Sequence, residues 1–465
     1  MKTIRAIKII IFVIILVMCL NRIYDILSWK EISGVNYSSM ESLYELEEDL
    51  IDVLFLGSSR CYNSINNSVI WKEHGFANFS LALSGQDLVS AYHCLVEALK
   101  TQTPEVVCLE VFGTLFHGYL FDSNLYRNTL PFKISYNSIQ EIMNISGEEK
   151  GALLLKWPII HTRYAELTKE DFATNLIPYV GYNSSFYTQE VVSKGSYLGE
   201  EVLRIGEEEE KWLKKIIDLT ETRDIELVFF IAPYICEEDE YKKLNYVENI
   251  ASDYNIPFIN MVKMQDELGI NKKTDFVDSA HMNYYGAQKV SNYMGDYLKA
   301  NYDLKDRRLD DKYDLWNQDA KARQHEYLNY MLANTYSVKA YFELLMDMED
   351  YNIIISAKNV ENDEELLGNK FMEKYKINEY KDKSKVWYIN EGEIVAQYKE
   401  NAVNEYQRIG NSDLIINCDD NIDIIIDKQS YIKVRDGINV IVYDNIFNKV
   451  VDAVGIDADN YEIVR

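Results

Sequence analysis

The sequence predicts an α/β protein. A parallel β-sheet sandwiched by helices carries a large insertion. A β-rich domain follows it, and a membrane-spanning helix precedes it. Three observations support this reading. Short apolar runs at 53–56, 77–81, 106–112, 226–232 and 257–261 alternate with helix-length stretches, the rhythm of a parallel sheet covered on both faces. After residue 350 the apolar pattern switches to period two, as strands require. Residues 9–20 carry no charge, and Lys2, Arg5 and Lys8 stand before them.

The N-terminal segment, 1–30, reads as an anchor. A helix from Ala6 to Leu20 would reach only about 22 Å, against a hydrocarbon core of roughly 30 Å. Continuing it through Arg22 and Asp25 to Leu27 completes a span with snorkelling ends. No A-x-A cleavage site follows, which favours an uncleaved anchor over a removed signal peptide. Met18 before Cys19 is too bulky for a lipid-bearing cysteine. The basic flank places the N-terminus in the cytoplasm and the rest of the chain outside.

The first globular domain is expected at 35–303. Helix-like stretches at 88–100 and 208–219 separate its strands, and 285–301 reads as a closing helix with Val290, Tyr293, Met294 and Leu298 at helical spacing. Over a hundred residues lie between Phe112 and Glu226, far more than an α/β connection needs. An insertion of about 113–205, rich in aromatic pieces at 116–121 and 157–164, is therefore expected to cap the carboxyl edge of the sheet. Residues 304–350 are charged, then helical, and read as a helical linker, a charged stretch followed by connecting helices. Residues 351–465 form the β-rich domain, with strand-like runs at 352–358, 414–418, 422–426 and 438–443 and a turn signal at Asp436-Gly437.

Composition narrows the partners. The 465 residues exceed one ordinary domain, and 47% apolar content supplies real cores. A net charge of −27, from 75 acids and 48 bases, argues against nucleic acid, whose binders carry a basic face. It also disfavours long anionic polymers, while neutral glycans are less affected. The six cysteines contain no CxxC pair, so neither zinc nor a disulfide framework is indicated, and no metal or cofactor is expected.

Two segments 219 residues apart, 59 to 278, carry the chemistry. Ser59 follows a buried-type strand and precedes a helix, which puts it at the carboxyl edge of the sheet, where α/β proteins bind ligands. Asp278 and His281, three apart, supply an orienter and a base for acyl transfer through a covalent ester. Each fragment alone is common in turns. Cys61 is a weaker nucleophile candidate, and His93 lies in an apolar helix and reads as packing. Arg60, His161 and Arg163 are candidate substrate contacts, with an ion pair to a nearby acid as the alternative for Arg60.

Leu54-Phe55-Leu56-Gly57-Ser58-Ser59, Asn78-Phe79-Ser80-Leu81-Ala82-Leu83-Ser84-Gly85 and Asp275-Phe276-Val277-Asp278-Ser279-Ala280-His281-Met282-Asn283 resemble the first, second and last blocks of the SGNH (GDSL-type) hydrolase superfamily over about 45–303. Ser58 stands where the family usually has aspartate. The resemblance implies a flavodoxin-like sheet, the SGNH hydrolase fold. It also implies Ser59, Asp278 and His281 as the catalytic set, and an oxyanion hole from the backbone N–H groups of Ser59 and Gly85. The third block of the family supplies an asparagine. Here the stretch reads Val107-Cys108-Leu109-Glu110-Val111-Phe112-Gly113, and losing such a donor costs about 2.7–4 kcal/mol of transition-state stabilisation. Either another group substitutes or the activity is weaker or different.

With its anchor and insertion, the chain is more similar to the extracytoplasmic acyl-transfer branch, which includes the D-alanyl transfer protein of teichoic acid synthesis and the alginate acetylation proteins. That likeness implies an acyl donor, a glycan acceptor and a membrane-bound O-acyltransferase as partner. Residues 436–444 and 450–457 are similar to the interleukin-like EMT inducer (PANDER-type) domain, implying a sandwich-like fold and sugar binding, with Trp387 and Tyr388 as stacking candidates. Two functions are expected from this. One is an anchored serine esterase or O-acyltransferase acting on a cell-surface polysaccharide. The other is a catalytically degenerate glycan-binding or scaffold protein of an O-acylation complex. Free lipase or peptidase activity is a third and less attractive reading.

Overall fold

A computed structural model describes residues 2–27, 35–116, 122–144, 150–167, 172, 179–192, 199–360, 369–375, 386–399, 401–418, 421–457 and 462–465. Parts of two expectations lie outside the described residues: positions 1 and 28–30 of the anchor, and 117–121 of the first aromatic-rich piece. The chain divides into two compact units, Met1–Ala320 and Lys321–Arg465.

The first unit is built on five strands, β1 (Val53–Gly57), β2 (Asn78–Ala82), β3 (Val106–Glu110), β4 (Glu226–Ile231) and β5 (Phe258–Asn260). All pairs are parallel, in the order β2-β1-β3-β4-β5. This is the flavodoxin-like arrangement, whose ligand crevice lies at the carboxyl ends of β1 and β3. Every residue of β1, β2 and β3 is buried, which explains why these strands read as unbroken apolar runs rather than as alternation.

Helices precede and flank the sheet: α1 (Lys2–Leu27), α2 (Val35–Glu45), α3 (Ser59–Ser64), α4 (Asn67–His74), α5 (Leu88–Ala98), then α6 (Asp122–Thr129), α7 (Tyr136–Asn144), α8 (Lys150–Leu155) and α9 (Trp157–Ile160) in the insertion, and α10 (Glu207–Thr222), α11 (Glu238–Asp253) and α12 (Tyr284–Asn301). Because strand side chains alternate, the sheet feeds two cores. Leu54, Leu56, Val107 and Phe229 meet Leu95 of α5, Leu213 of α10 and Leu244 of α11. Val53, Phe55, Val106 and Phe230 meet Ile70 of α4 and Val290, Met294 and Leu298 of α12. The closing helix thus buries the stripe its spacing predicts.

Helix α1 has 26 residues, about 39 Å of helix, longer than the 6–20 stretch alone. Its window Ile7–Tyr24 is the one described helix long and apolar enough to cross a membrane.

The second unit holds two antiparallel sheets. One has six strands, β6 (Tyr351–Lys358), β7 (Val386–Asn390), β8 (Glu393–Tyr398), β13 (Gly437–Asp444), β14 (Lys449–Asp457) and β15 (Ile463–Val464), ordered β15-β14-β13-β6-β7-β8. The other has four, β9 (Ala402–Ile409), β10 (Ser412–Cys418), β11 (Ile422–Ile426) and β12 (Gln429–Ser430), ordered β12-β11-β10-β9. Ile354, Tyr388 and Tyr443 of the larger sheet share a core with Leu414, Ile416 and Ile424 of the smaller. The opposite face of the larger sheet buries Ile353, Ile355 and Trp387 against Leu328 and Leu332 of α13 (Asp314–Ala333) and Phe342 and Leu345 of α14 (Val338–Leu345). Much of the expected linker is therefore a helical layer on this sheet. Trp387 and Tyr388 are 3% and 5% exposed, one in each core. Neither is free to stack on a sugar.

Candidate active site

The turn that carries Ser59 is fixed by its own hydrogen bonds. β1 ends at Gly57, Ser58 caps α3, and Ser59 is the first residue of that helix. The Ser58 hydroxyl accepts from Arg60 N–H at 3.3 Å, and Asn63 Nδ2 donates to the Ser59 carbonyl at 2.8 Å. Gly57 lies beside Glu110 on the neighbouring strand, and a Cβ there would collide with the Glu110 Cβ. Glycine is what lets Glu110 turn beneath the nucleophile turn.

Ser59 Oγ lies 2.8 Å from His281 Nε2. His281 Nδ1 faces both Asp278 carboxylate oxygens at 3.0 Å, which assigns the ring proton to Nδ1 and leaves Nε2 to accept from Ser59. Asp278 Oδ1 also accepts from Ala280 N–H at 2.7 Å and His281 N–H at 3.0 Å. Burial acts to raise the Asp278 pKa, but the His281 and Ala280 hydrogen bonds outweigh it, so the carboxyl is held below its ordinary value. It stays ionised and can stabilise an imidazolium.

The loop carrying this pair is closed at its base. Phe276 and Met282 form an antiparallel bridge, and Val277 N–H donates to the His281 carbonyl at 2.9 Å. Asp275 is buried and pairs with Lys289 at 2.6 Å. Asn283 caps α12, accepting from Tyr285 and Gly286 N–H, and donates to the Thr274 carbonyl at 2.7 Å. The D-x-x-H segment is thus held on both sides by α12 and its cap.

Gly85, in the loop after β2, adopts a left-handed φ of +60°, which glycine permits. Leu83 N–H donates to the Gly57 carbonyl at 2.9 Å and draws this loop onto the nucleophile turn. The two predicted oxyanion donors therefore sit at the carboxyl ends of adjacent strands.

Glu110 lies in the stretch where the resemblance expects an asparagine, and the structure gives it a bracing task. It is buried, accepting from Ser58 N–H at 3.2 Å and Ser58 Oγ at 3.0 Å through one oxygen and from Phe112 N–H at 3.2 Å through the other. Burial pushes its pKa up to about 7, with the Arg60 charge and these hydrogen bonds opposing.

The Arg60 guanidinium lies 3.3 Å from the Phe112 ring centroid and 4.6 Å from that of Tyr234. Its Nε is buried without a hydrogen-bond partner. Cys61 is buried and its thiol is pushed up by burial and by the Glu110 charge, which leaves it inert beside Ser59. His93 is buried against Asn137 at 2.7 Å, a packing position.

The insertion histidine and arginine are placed elsewhere. Arg163 is buried and donates to the Leu27 carbonyl at the end of α1 at 3.2 Å. His161 is exposed and bonds the Trp157 carbonyl of its own turn at 2.9 Å. Sequence reasoning missed Asn63 and Tyr234. Asn63 had a signal in its i+4 spacing from Ser59 on a short helix, whereas Tyr234 follows β4 and is brought in only by the fold. Among the described residues no group of three His, Cys, Asp or Glu could hold a metal ion.

No family model matches the chain, and no curated protein matches it. Among solved structures it is similar to a candidate acylhydrolase from Bacteroides fragilis, at 12% identity over 58% of this chain and 99% of that one, with a TM-score of 0.30. It is also similar to a GDSL-like lipase from Bacteroides thetaiotaomicron, at 13% identity over 58% and 99%, with a TM-score of 0.29.

Proposed function

We propose that this chain is a serine esterase or O-acyltransferase, anchored by α1 with its globular units outside the cytoplasm, that moves an acetyl-like group on or off a cell-surface polysaccharide. The observation that carries the chemistry is the continuous Ser59–His281–Asp278 relay, at 2.8 and 3.0 Å. His281 takes the Ser59 proton as Oγ attacks the acyl carbonyl. The Ser59 and Gly85 amides receive the oxyanion, and His281 returns the proton to the leaving oxygen. The acyl group then sits on Ser59 as an ester. A sugar hydroxyl, or water, gives its proton to His281 and takes the acyl group, restoring the serine.

Anchoring rests on the length and apolarity of α1, and its orientation on the basic residues ahead of it. The acceptor class and an O-acyltransferase partner rest on the family resemblance. Arg60 is proposed to meet an anionic part of the substrate, because its donors are not consumed by Glu110.

Fluorophosphonate labelling of the full chain in detergent tests the nucleophile. Labelling of wild type, and none of Ser59→Ala, is expected; equal labelling of the two overturns the assignment. Added oligosaccharide acceptors then separate transfer from hydrolysis by the acylated product. The scaffold reading draws on the absence of an asparagine after β3, and full complementation of a deletion strain by Ser59→Ala would favour it.

A further inference from the structure

Helix α7 is amphipathic in the wrong sense for a soluble protein. Three of its apolar residues, Tyr136, Ile139 and Met143, at helical spacing, are 79%, 38% and 52% exposed, and Ile134 just ahead is 73% exposed, while Ile142 alone of its apolar residues is buried. Its polar residues Asn137, Ser138 and Glu141 are buried. A surface helix in water does the opposite.

The orientation is locked by hydrogen bonds to α5. Asn137 Nδ2 donates to the His93 carbonyl at 2.9 Å and to Glu97 Oε2 at 2.8 Å, while its Oδ1 lies 2.7 Å from His93 Nδ1. Ser90 Oγ donates to Glu141 Oε1 at 3.3 Å. Rolling α7 over to hide the apolar stripe would strand these buried groups, each at a cost greater than an ordinary hydrogen bond is worth. The exposed stripe is therefore a fixed feature of the fold.

Exposed apolar residues also stand on the part of the insertion that meets the anchor helix. Leu155 and Trp157, in α8 and α9, are 69% and 38% exposed. Ile160 of α9 and Leu130 close over Leu27 at the end of α1, with Tyr24 packed against them. Arg163 holds the Leu27 carbonyl. The same insertion that displays the stripe thus grips α1 where its apolar span ends.

We propose that the insertion lies in the interface of the bilayer that α1 enters, with the α7 stripe seated among the lipid headgroups and upper acyl chains. Tyr136 and Trp157 suit that depth, since aromatic rings with a polar edge favour the membrane–water boundary. Apolar area on one helical face, held parallel to the surface, is the recognised means of such binding. The bilayer is favoured over a protein partner because the insertion that displays the stripe also packs around the end of α1. The site built on Ser59 would then work on acyl groups presented at the membrane face. This inference rests on the reading of α1 as an anchor, not on the Ser59 chemistry.

The test uses the full chain in phosphatidylcholine vesicles with no other protein. In a background with Cys19 and Cys236 changed to serine, Ile139→Cys and Tyr254→Cys are labelled in turn with a polarity-sensitive fluorophore. Tyr254 is the exposed control, beyond α11. Brominated phosphatidylcholine should quench the label at 139 roughly twofold or more over that at 254. A label placed by Leu155→Cys should lose its quenching when Ile139 and Met143 are both changed to asparagine. Equal, weak quenching at 139 and 254 overturns the proposal, and shielding of 139 only in native membranes would transfer the surface to a protein partner. A quenched chain that fluorophosphonate fails to label retains this inference and loses the proposed activity; a labelled but unquenched chain does the reverse.

Discussion

The Ser58 hydroxyl donates to the buried Glu110 carboxyl at 3.0 Å, one residue ahead of the nucleophile. This acid ends β3, in the stretch where the family resemblance expects an asparagine donor. Instead Glu110 spends both oxygens on the β1–α3 turn and on its own chain at Phe112. Its side chain braces the serine from below.

That brace should make stability depend on pH. The Glu110 carboxyl titrates near 7 in the folded chain against an ordinary 4.5. The folded state therefore holds a proton that the unfolded state has released. The associated stability is fully present below about pH 4.5 and is lost as pH rises through 7, by roughly 3 kcal/mol. Chemical denaturation at pH 5 and pH 8 should show this loss in wild type and its absence in Glu110→Gln. Parallel pH profiles for the two would refute it.

Asp278→Asn should keep the shape of the loop while removing the acceptor that holds the proton on His281 Nδ1. A fall in kcat of roughly 10²–10⁴ is expected, with KM moving less. The partial exposure of Asp278, 47% of its side chain, favours the lower end. Steady-state kinetics with a chromogenic acetyl ester measures it. A change confined to KM would mean that the residue binds substrate and does not orient the base.

Gly286→Ala should loosen the catalytic loop without touching a reacting atom. A Cβ there would come within 2.5 Å of the Asp275 carbonyl oxygen and strike the Met282 methyl. Overpacking of this kind costs about 1–3 kcal/mol. Because Asp275 and Met282 bracket the pair Asp278–His281, activity should fall while the melting temperature drops. Intact kinetics in a destabilised variant would uncouple the loop base from the site.

Arg60→Gln should change which esters are preferred. Wild type is expected to favour an ester bearing a carboxylate near its carbonyl over a neutral analogue. The variant should lose roughly tenfold more kcat/KM on the charged ester, the scale of one charge-assisted hydrogen bond. Arg60→Lys should recover part of that loss. An equal loss on both esters would show that Arg60 only supports the turn through Phe112 and Tyr234.

Much of the fold was legible because parallel strands buried on both faces are continuous apolar runs, as at 53–56 and 106–110. Ser59, Asp278 and His281 lie in fragments that are each common in turns; what pointed to their meeting was context, a serine after a buried strand and a D-x-x-H before a closing helix. Other features depend on contacts that leave no local pattern. The role of Glu110 follows from its pairing beside Gly57, 53 positions earlier in sequence. Arg163 looked like a substrate contact because nothing local reveals that its partner is the Leu27 carbonyl. Trp387 and Tyr388 stood as stacking candidates because nothing local shows that sheets and helices cover both of the faces to which period two assigns them. The helices of 304–350 were legible in the sequence, but not that they shield a β-sheet.

Ser59 and His281 stand 222 positions apart, and this separation sets a schedule for biogenesis. The anchor leaves the ribosome first and the serine soon after. At roughly 5–20 residues per second, the base follows about 11 to 44 s later. Under the proposed chemistry, the nascent chain carries Ser59 without its base throughout that interval. On that reading, a chain truncated before His281 holds the serine without the base proposed to activate it.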